Sequence, residues 1–212
     1  MKKIIAVLLI LALSMSLAAC GNTADSESNP SSSTPSASAP ENNTASTVPQ
    51  GETLDMLPSE MPQKFVLTTK SGVWKTEITL KHDGAFTGKF TEKIAEYSEE
   101  FGYPNGKIMV CDFTGKFANF IKVDEYTIAM KLDKVDAAYA TEEFWIEDGI
   151  WYETTAPIGI ENGEWFYIYL PGKPTSDLDK AFTMWYINSD TIPDKLDVYG
   201  LYNASARYAF FG

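Results

Sequence analysis

His82 is the sole histidine among 212 residues, so a Ser-His-Asp or Cys-His arrangement would have to be built on it. Its parity continues the strand-like alternation of Trp74 to Leu80, and it falls beside Asp83 at the mouth of a turn. A polar residue flanking a turn is the simpler reading. Cys111 lies inside the apolar run Ile108-Met109-Val110-Cys111-Asp112-Phe113. A reactive thiol needs a basic or helix-terminal setting to lower its pKa. This run supplies neither and predicts an inert core thiol. Zinc sites want several His or Cys ligands, and the sequence has no EF-hand spacing and no Gly-rich phosphate loop. Glu99-Glu100 and Glu142-Glu143 are adjacent acids. Neighbours on a strand point to opposite faces, whereas glycosidase chemistry needs two carboxylates facing each other across a cleft. The sequence therefore predicts no catalytic residue, no metal site and no cofactor.

The aromatic residues carry more information. The chain has 5 Trp, 11 Tyr and 12 Phe, more than one filled core needs. Between Trp165 and Leu170, Phe166, Ile168 and Leu170 share one strand face, and Trp165, Tyr167 and Tyr169 share the other. Both faces are bulky, so the outer one must be covered or used. A following helix with Phe182 and Trp185 could cover it as a second layer. Left open, Trp165, Tyr167 and Tyr169 would form a platform of the kind that stacks on sugars or anchors a protein partner. They are the candidate ligand-binding residues.

The elements that must position these residues are mostly strands. Phe65 to Thr69 reads as a first strand. Trp74, Thr76, Ile78 and Leu80 alternate with Lys75, Glu77, Thr79 and Lys81, and Asp83-Gly84 then signals a type I′ hairpin. Phe86, Gly88 and Phe90 lie on the return strand. Thr91 to Gly106 is acidic and reads as a long surface loop. Strands resume from Lys107 to about Phe117, where Gly115 suggests a bulge. Further strands follow at Tyr126 to Leu132, Phe144 to Ile146, Ile150 to Thr154 and Trp165 to Leu170, with turns at Glu147-Asp148-Gly149 and Glu161-Asn162-Gly163-Glu164. Ser176 is read as the N-cap of one helix, with Asp177 and Asp179 in its first turn. Asp197 to Tyr202 and Arg207 to Phe211 close the chain. The expected fold is mainly β: an antiparallel β-barrel or sandwich of about nine or ten strands, with one helix near the C-terminus.

Residues 1–53 differ in kind. Lys2 and Lys3 precede an uninterrupted apolar run, Ile4 to Leu13, too short for the roughly 20 residues of a bilayer span. Small residues then lead to Leu17-Ala18-Ala19-Cys20-Gly21. This stretch resembles the lipobox of bacterial lipoproteins. The resemblance implies that residues 1–19 are a signal peptide removed by signal peptidase II. It also implies that Cys20 carries a diacylglyceryl group, whose two chains hold firmly where one binds only marginally. The implied location is the extracytoplasmic face of the cell membrane, with the membrane as a partner through Cys20. The rest of residues 20–53 is Ser, Thr, Pro, Ala and Asn with little aliphatic bulk, and predicts a disordered tether of roughly 30 Å average span. Residues 54–212 form the single folded domain. The formal net charge of -12 becomes -14 once Lys2 and Lys3 leave with the signal, which argues against nucleic acid as a partner.

Two further resemblances concern the domain. Gly72-Val73-Trp74-Lys75-Thr76-Glu77, Asp83-Gly84, Tyr103-Pro104-Asn105-Gly106, Lys122-Val123-Asp124-Glu125-Tyr126 and Tyr169-Leu170-Pro171-Gly172-Lys173-Pro174 resemble lipoproteins of gut-type Gram-positive bacteria. That group implies location only. Gly72-Val73-Trp74 is also similar to the Gly-x-Trp of calycin barrels, the lipocalin type especially, in which an Arg from near the chain end packs on the Trp. Carried over, this implies a structural pair between Trp74 and Arg207, the sole Arg. The functional expectation is a membrane-anchored, non-catalytic binding module for an unidentified ligand. The alternative is a structural or interaction protein of the cell envelope, or an inhibitor, with a hydrolase as the remotest reading.

Overall fold

The computed structural model describes residues 48–186 and 191–212. Cys20, the whole expected signal and the tether up to residue 47 lie outside the described residues. Eleven strands form one sheet: β1 (Glu52–Leu54), β2 (Lys64–Thr68), β3 (Trp74–Leu80), β4 (Ala85–Ile94), β5 (Lys107–Asp124), β6 (Thr127–Ala137), β7 (Phe144–Glu147), β8 (Ile150–Thr154), β9 (Trp165–Tyr169), β10 (Gly200–Asn203) and β11 (Tyr208–Phe211). Eight of them close a barrel in the order β2-β3-β4-β5-β6-β9-β10-β11, with β11 returning to β2 through Phe211 and Val66. Every pairing around that ring is antiparallel. The domain is thus a closed antiparallel barrel, and the sandwich alternative falls away. The chain runs up and down around it, except that the β7–β8 hairpin is inserted between β6 and β9.

Period-two patterning builds the wall. On β3, Thr76, Ile78 and Leu80 are buried while Lys75 and Glu77 are exposed. The core includes eight phenylalanines, at 65, 86, 90, 113, 117, 120, 166 and 210. Glycines make room for some of the rings. Phe86 faces Gly115 and Phe113 faces Gly88 across the β4–β5 ladder. A Cβ on either glycine would fall 2.2 Å from the opposing ring. Gly115 therefore serves close packing, and the bulge comes just after it, between Lys116 and Phe117.

Both mouths of the barrel are closed. At one, the segment ahead of β2 inserts Leu57 and Met61, each 3% exposed, and the Leu57 N–H donates to the His82 carbonyl (2.9 Å). Glu52 and Thr53, which composition placed in the tether, pair with Lys122 and Ile121 of β5, so the folded part begins before Leu54. At the other mouth, the β8–β9 connection inserts Ile160, and the Thr76 hydroxyl donates to the Ile158 carbonyl (2.8 Å). Asn203, fully buried, donates from Nδ2 to the Gly159 carbonyl (3.0 Å).

Glu161 lies in that second plug, with Oε2 buried and without a hydrogen-bond partner. Burial raises its pKa, opposed by the backbone amides of Glu161, Gly159 and Ile160. Since the folded value lies above the ordinary one, ionisation costs stability as pH rises through the ordinary carboxyl range. Glu161→Gln is expected to raise the Tm at neutral pH, with the gain vanishing below about pH 4, where both states of the wild type hold the proton. Equal Tm differences at pH 4 and pH 7 would contradict this.

Three local expectations change. Thr91 to Ile94, read as the start of a surface loop, continue β4 and pair with Val110 to Lys107 of β5. The β3–β4 connection is a three-residue loop in which Lys81 and Ala85 close the ladder (2.8 Å) and Gly84 takes φ 86°, so it is not the two-residue type I′ turn expected at Asp83-Gly84. The helix, α1, is short (Lys180–Thr183) and capped by Asp179, whose carboxylate accepts from the Ala181 N–H at 2.8 Å. Ser176 lies in a preceding 3-10 turn, Thr175–Asp177, and is not its N-cap.

Candidate functional site

The residues singled out for nucleophilic or acid–base chemistry do not converge. His82 has its Nδ1 buried without a partner, while Asp83 accepts from the Ala85 N–H (3.0 Å) and lies 3.5 Å from the Lys116 ammonium. Cys111 is 4% exposed in the barrel core, and burial pushes its thiol up to about 11, far from a reactive thiolate. Among the described residues no three His, Cys, Asp or Glu side chains gather as a metal site.

The outer aromatic face of β9 is largely covered. Trp165 is 7% exposed, and Phe182 of α1 packs edge-on to Tyr169 (5.0 Å) and Tyr202 (5.7 Å). Phe182 can approach this closely because β10 carries Gly200 beneath it, where a Cβ would fall 2.4 Å from the ring. Burial pushes the Tyr169 hydroxyl pKa upward and that of Tyr202 to about 12. Tyr167, stacked on Tyr169 at 6.3 Å, is half-buried. Tyr167 and Tyr169 thus form the floor of a second apolar layer under α1, and Trp165 is buried outside that cluster.

Trp74 and Arg207 do not form the expected pair. Trp185 lies against Trp74 instead, edge to face at 5.9 Å, and packs on Tyr208 at 5.5 Å. The Trp185 indole N–H donates to the backbone carbonyl of Arg207 (2.9 Å). Arg207 falls in the turn before β11, at φ 62°, and its side chain is 66% exposed with Asp179 3.7 Å away. The cation–π contact found among the described residues is Lys107 over Trp151, at 5.9 Å.

The surface that sequence reasoning passed over is the β7–β8 hairpin. β8 pairs in parallel with β5 at Lys107 to Val110, beyond the point where β6 leaves β5, so the hairpin flares from the wall. Its tip is fastened to the β4–β5 loop. The Asn105 side chain donates to the Asp148 carbonyl (2.8 Å), the Asn105 N–H donates to the Gly149 carbonyl (2.9 Å), and Tyr103 packs on Trp151 (5.4 Å). The Tyr103-Pro104-Asn105-Gly106 segment therefore serves as a bracket for the hairpin.

All four residues of β7 are exposed, with Phe144 at 63% and Ile146 at 45%. Trp145 stacks on Tyr152 on one face (5.1 Å, 10°), and Phe144 stacks on Trp151 on the other (4.6 Å, 10°). Exposed Tyr139 packs on Trp145 (6.0 Å), and the neighbouring loop adds exposed Tyr97 and Phe101. Glu142-Glu143 directly precede β7 and are exposed, as are Glu99-Glu100 in the β4–β5 loop. The overlooked signal was the lack of alternation in Phe144-Trp145-Ile146: three consecutive apolar residues in a solvated strand are tolerated where they have a use.

An open groove of about 620 Å³ crosses β2 to β6 between Lys64, Glu77, Thr79, Thr87, Lys89 and Asp112. Its Lys89–Asp112 pair is half-exposed at 3.5 Å, and no unpartnered buried polar atom points into it. The hairpin is the better candidate. Comparison of the chain with protein-family models, with curated proteins and with solved structures gives no match.

Proposed function

We propose that this chain is a membrane-anchored, non-catalytic binding module of the extracytoplasmic surface, held by a diacylglyceryl group on Cys20, which presents the β7–β8 hairpin to its ligand. The observation that carries this reading is the hairpin itself, with aromatic stacks on both faces of a strand left open to solvent. Exposed aromatic patches of this kind mark interaction sites. The packed phenylalanine core and the two plugged mouths argue against a ligand held inside the barrel, as the lipocalin resemblance would have it. They favour contact on the outside. The same observations fit the second reading, an interaction protein of the cell envelope, with a protein in place of a small ligand on the same hairpin.

Two measurements test the proposal. Mass spectrometry of the protein from its native membrane should find the mature terminus at lipidated Cys20, and Cys20→Ala should release or strand the precursor. The double variant Trp145→Ala/Tyr152→Ala should weaken binding to isolated cell envelopes by about 30-fold, the loss expected of a hot-spot pair. An unmodified terminus elsewhere overturns the anchor. Unchanged envelope binding overturns the hairpin.

A further inference from the structure

We infer that the free edge of β7 takes up an extended, cationic polypeptide segment as an additional strand. This rests on the hairpin being the binding surface. β7 is the last strand in the sheet order and, among the described residues, pairs only with β8. Its turn is a two-residue one, with Asp148 at φ 50° and Gly149 at φ 73°, the signature of type I′. Such a turn closes on a hydrogen-bonded pair, here Glu147 and Ile150, and bonded pairs then alternate along the ladder. Trp145 is therefore bonded to Tyr152, and the N–H and C=O groups of Phe144 and Ile146 point away from β8. No other backbone group among the described residues bonds to them.

The edge offers main-chain partners for an incoming strand, and its two aromatic faces offer contacts for that strand's alternate side chains. Charge selects the occupant. Glu142, Glu143, Glu147 and Asp148 are exposed and make no ion pair among the described residues, while nearby Lys107 is engaged by Glu153 at 2.8 Å. Protected edges usually carry Lys or Pro, and β7 carries neither. A second copy of this chain paired edge to edge would bring these acids against their own duplicates, which is unfavourable. A lysine- or arginine-bearing segment meets the opposite field. Four residues of strand suit a contact of roughly four to six residues.

The test uses the full chain in detergent and a capped hexapeptide alternating Lys and Val, followed by calorimetry and tryptophan fluorescence. The peptide is expected to bind in a 1:1 ratio and to weaken with added salt, and its Glu-Val counterpart to show no binding. N-methylation at every second residue, made in both registers, is expected to weaken binding at least about tenfold in one register, since it removes edge hydrogen bonds while keeping the side chains. Ile146→Pro should do the same with its Tm retained, because the amide it deletes faces away from β8. Trp145-dependent binding that ignores both N-methylation registers and the proline overturns strand addition while leaving the hairpin as the binding surface. Trp145-dependent binding of a neutral hexasaccharide in place of the peptides does likewise. If no probe binds in a Trp145-dependent manner, the strand proposal and the hairpin reading fail together.

Discussion

Phe117→Ala is expected to lower the unfolding free energy by about 3–5 kcal/mol, the range for deleting a buried aromatic ring. Phe117 is fully buried near the middle of β5, with Phe86 at 4.7 Å and Phe166 at 4.9 Å. Its neighbours cannot collapse into the vacated space, because they belong to a closed wall whose strands are fixed on both sides by hydrogen-bonded partners. The loss should therefore include a cavity cost on top of the lost transfer energy. Urea titration should show the midpoint falling at constant slope. The result also bears on function. A barrel that holds its ligand in a hollow centre would give up little on losing one lining ring, so a change below about 1 kcal/mol would return the interior to consideration as a binding site. Variants that remain folded should bind at the hairpin as the wild type does, since β7 and β8 share no core contact with Phe117.

Much of the barrel wall was legible because period-two alternation is a local signal. β3 and β6 were found through Ile78 and Leu80 and through Ile128 and Met130, all buried where parity placed them. Partner choice is not local. β5 runs 18 residues and pairs in turn with β4, β6, β8 and β1, and no feature of its own sequence announces those exchanges. The same limit explains Trp74. Its inward parity could be read, but its neighbour is set by where the segment after α1 returns to the barrel, and that brings Trp185 rather than Arg207. At the hairpin, bulk on both faces was visible in Phe144-Trp145-Ile146, but whether a third element covers such a strand is settled only in three dimensions. On β9 an equally bulky outer face is covered by α1, and on β7 the second face stays open. Cys20 belongs to a motif read by sequence alone.

Removing the cover from β9 should have an effect as large as hollowing the barrel. Phe182 is fully buried between the sheet and its own short helix, against Tyr169, Tyr202 and Phe211 (5.3 Å). Phe182→Ala is expected to cost about 3–5 kcal/mol. A four-residue helix has too few hydrogen bonds to persist without that anchor, although the Asp179 cap and the Tyr202 hydroxyl that donates to Asp179 (3.1 Å) both remain. The variant has a second readout in the tyrosines. Burial first, then the carboxylate of Asp179, hold the Tyr202 hydroxyl up at about 12. With the folded value above the ordinary one near 10, the neutral phenol favours the folded state, and that contribution is lost as pH rises from about 10 to about 12. The share of tyrosinate absorbance that comes from Tyr169 and Tyr202 should therefore rise late and together with alkaline unfolding. In Phe182→Ala the ring over Tyr169 and Tyr202 is gone, water reaches both hydroxyls, and part of that absorbance should appear nearer pH 10, ahead of the loss of β-sheet circular dichroism. Coincident transitions at the wild-type pH would mean that Phe182 does not seal this face, and that its cover comes from elsewhere in the chain.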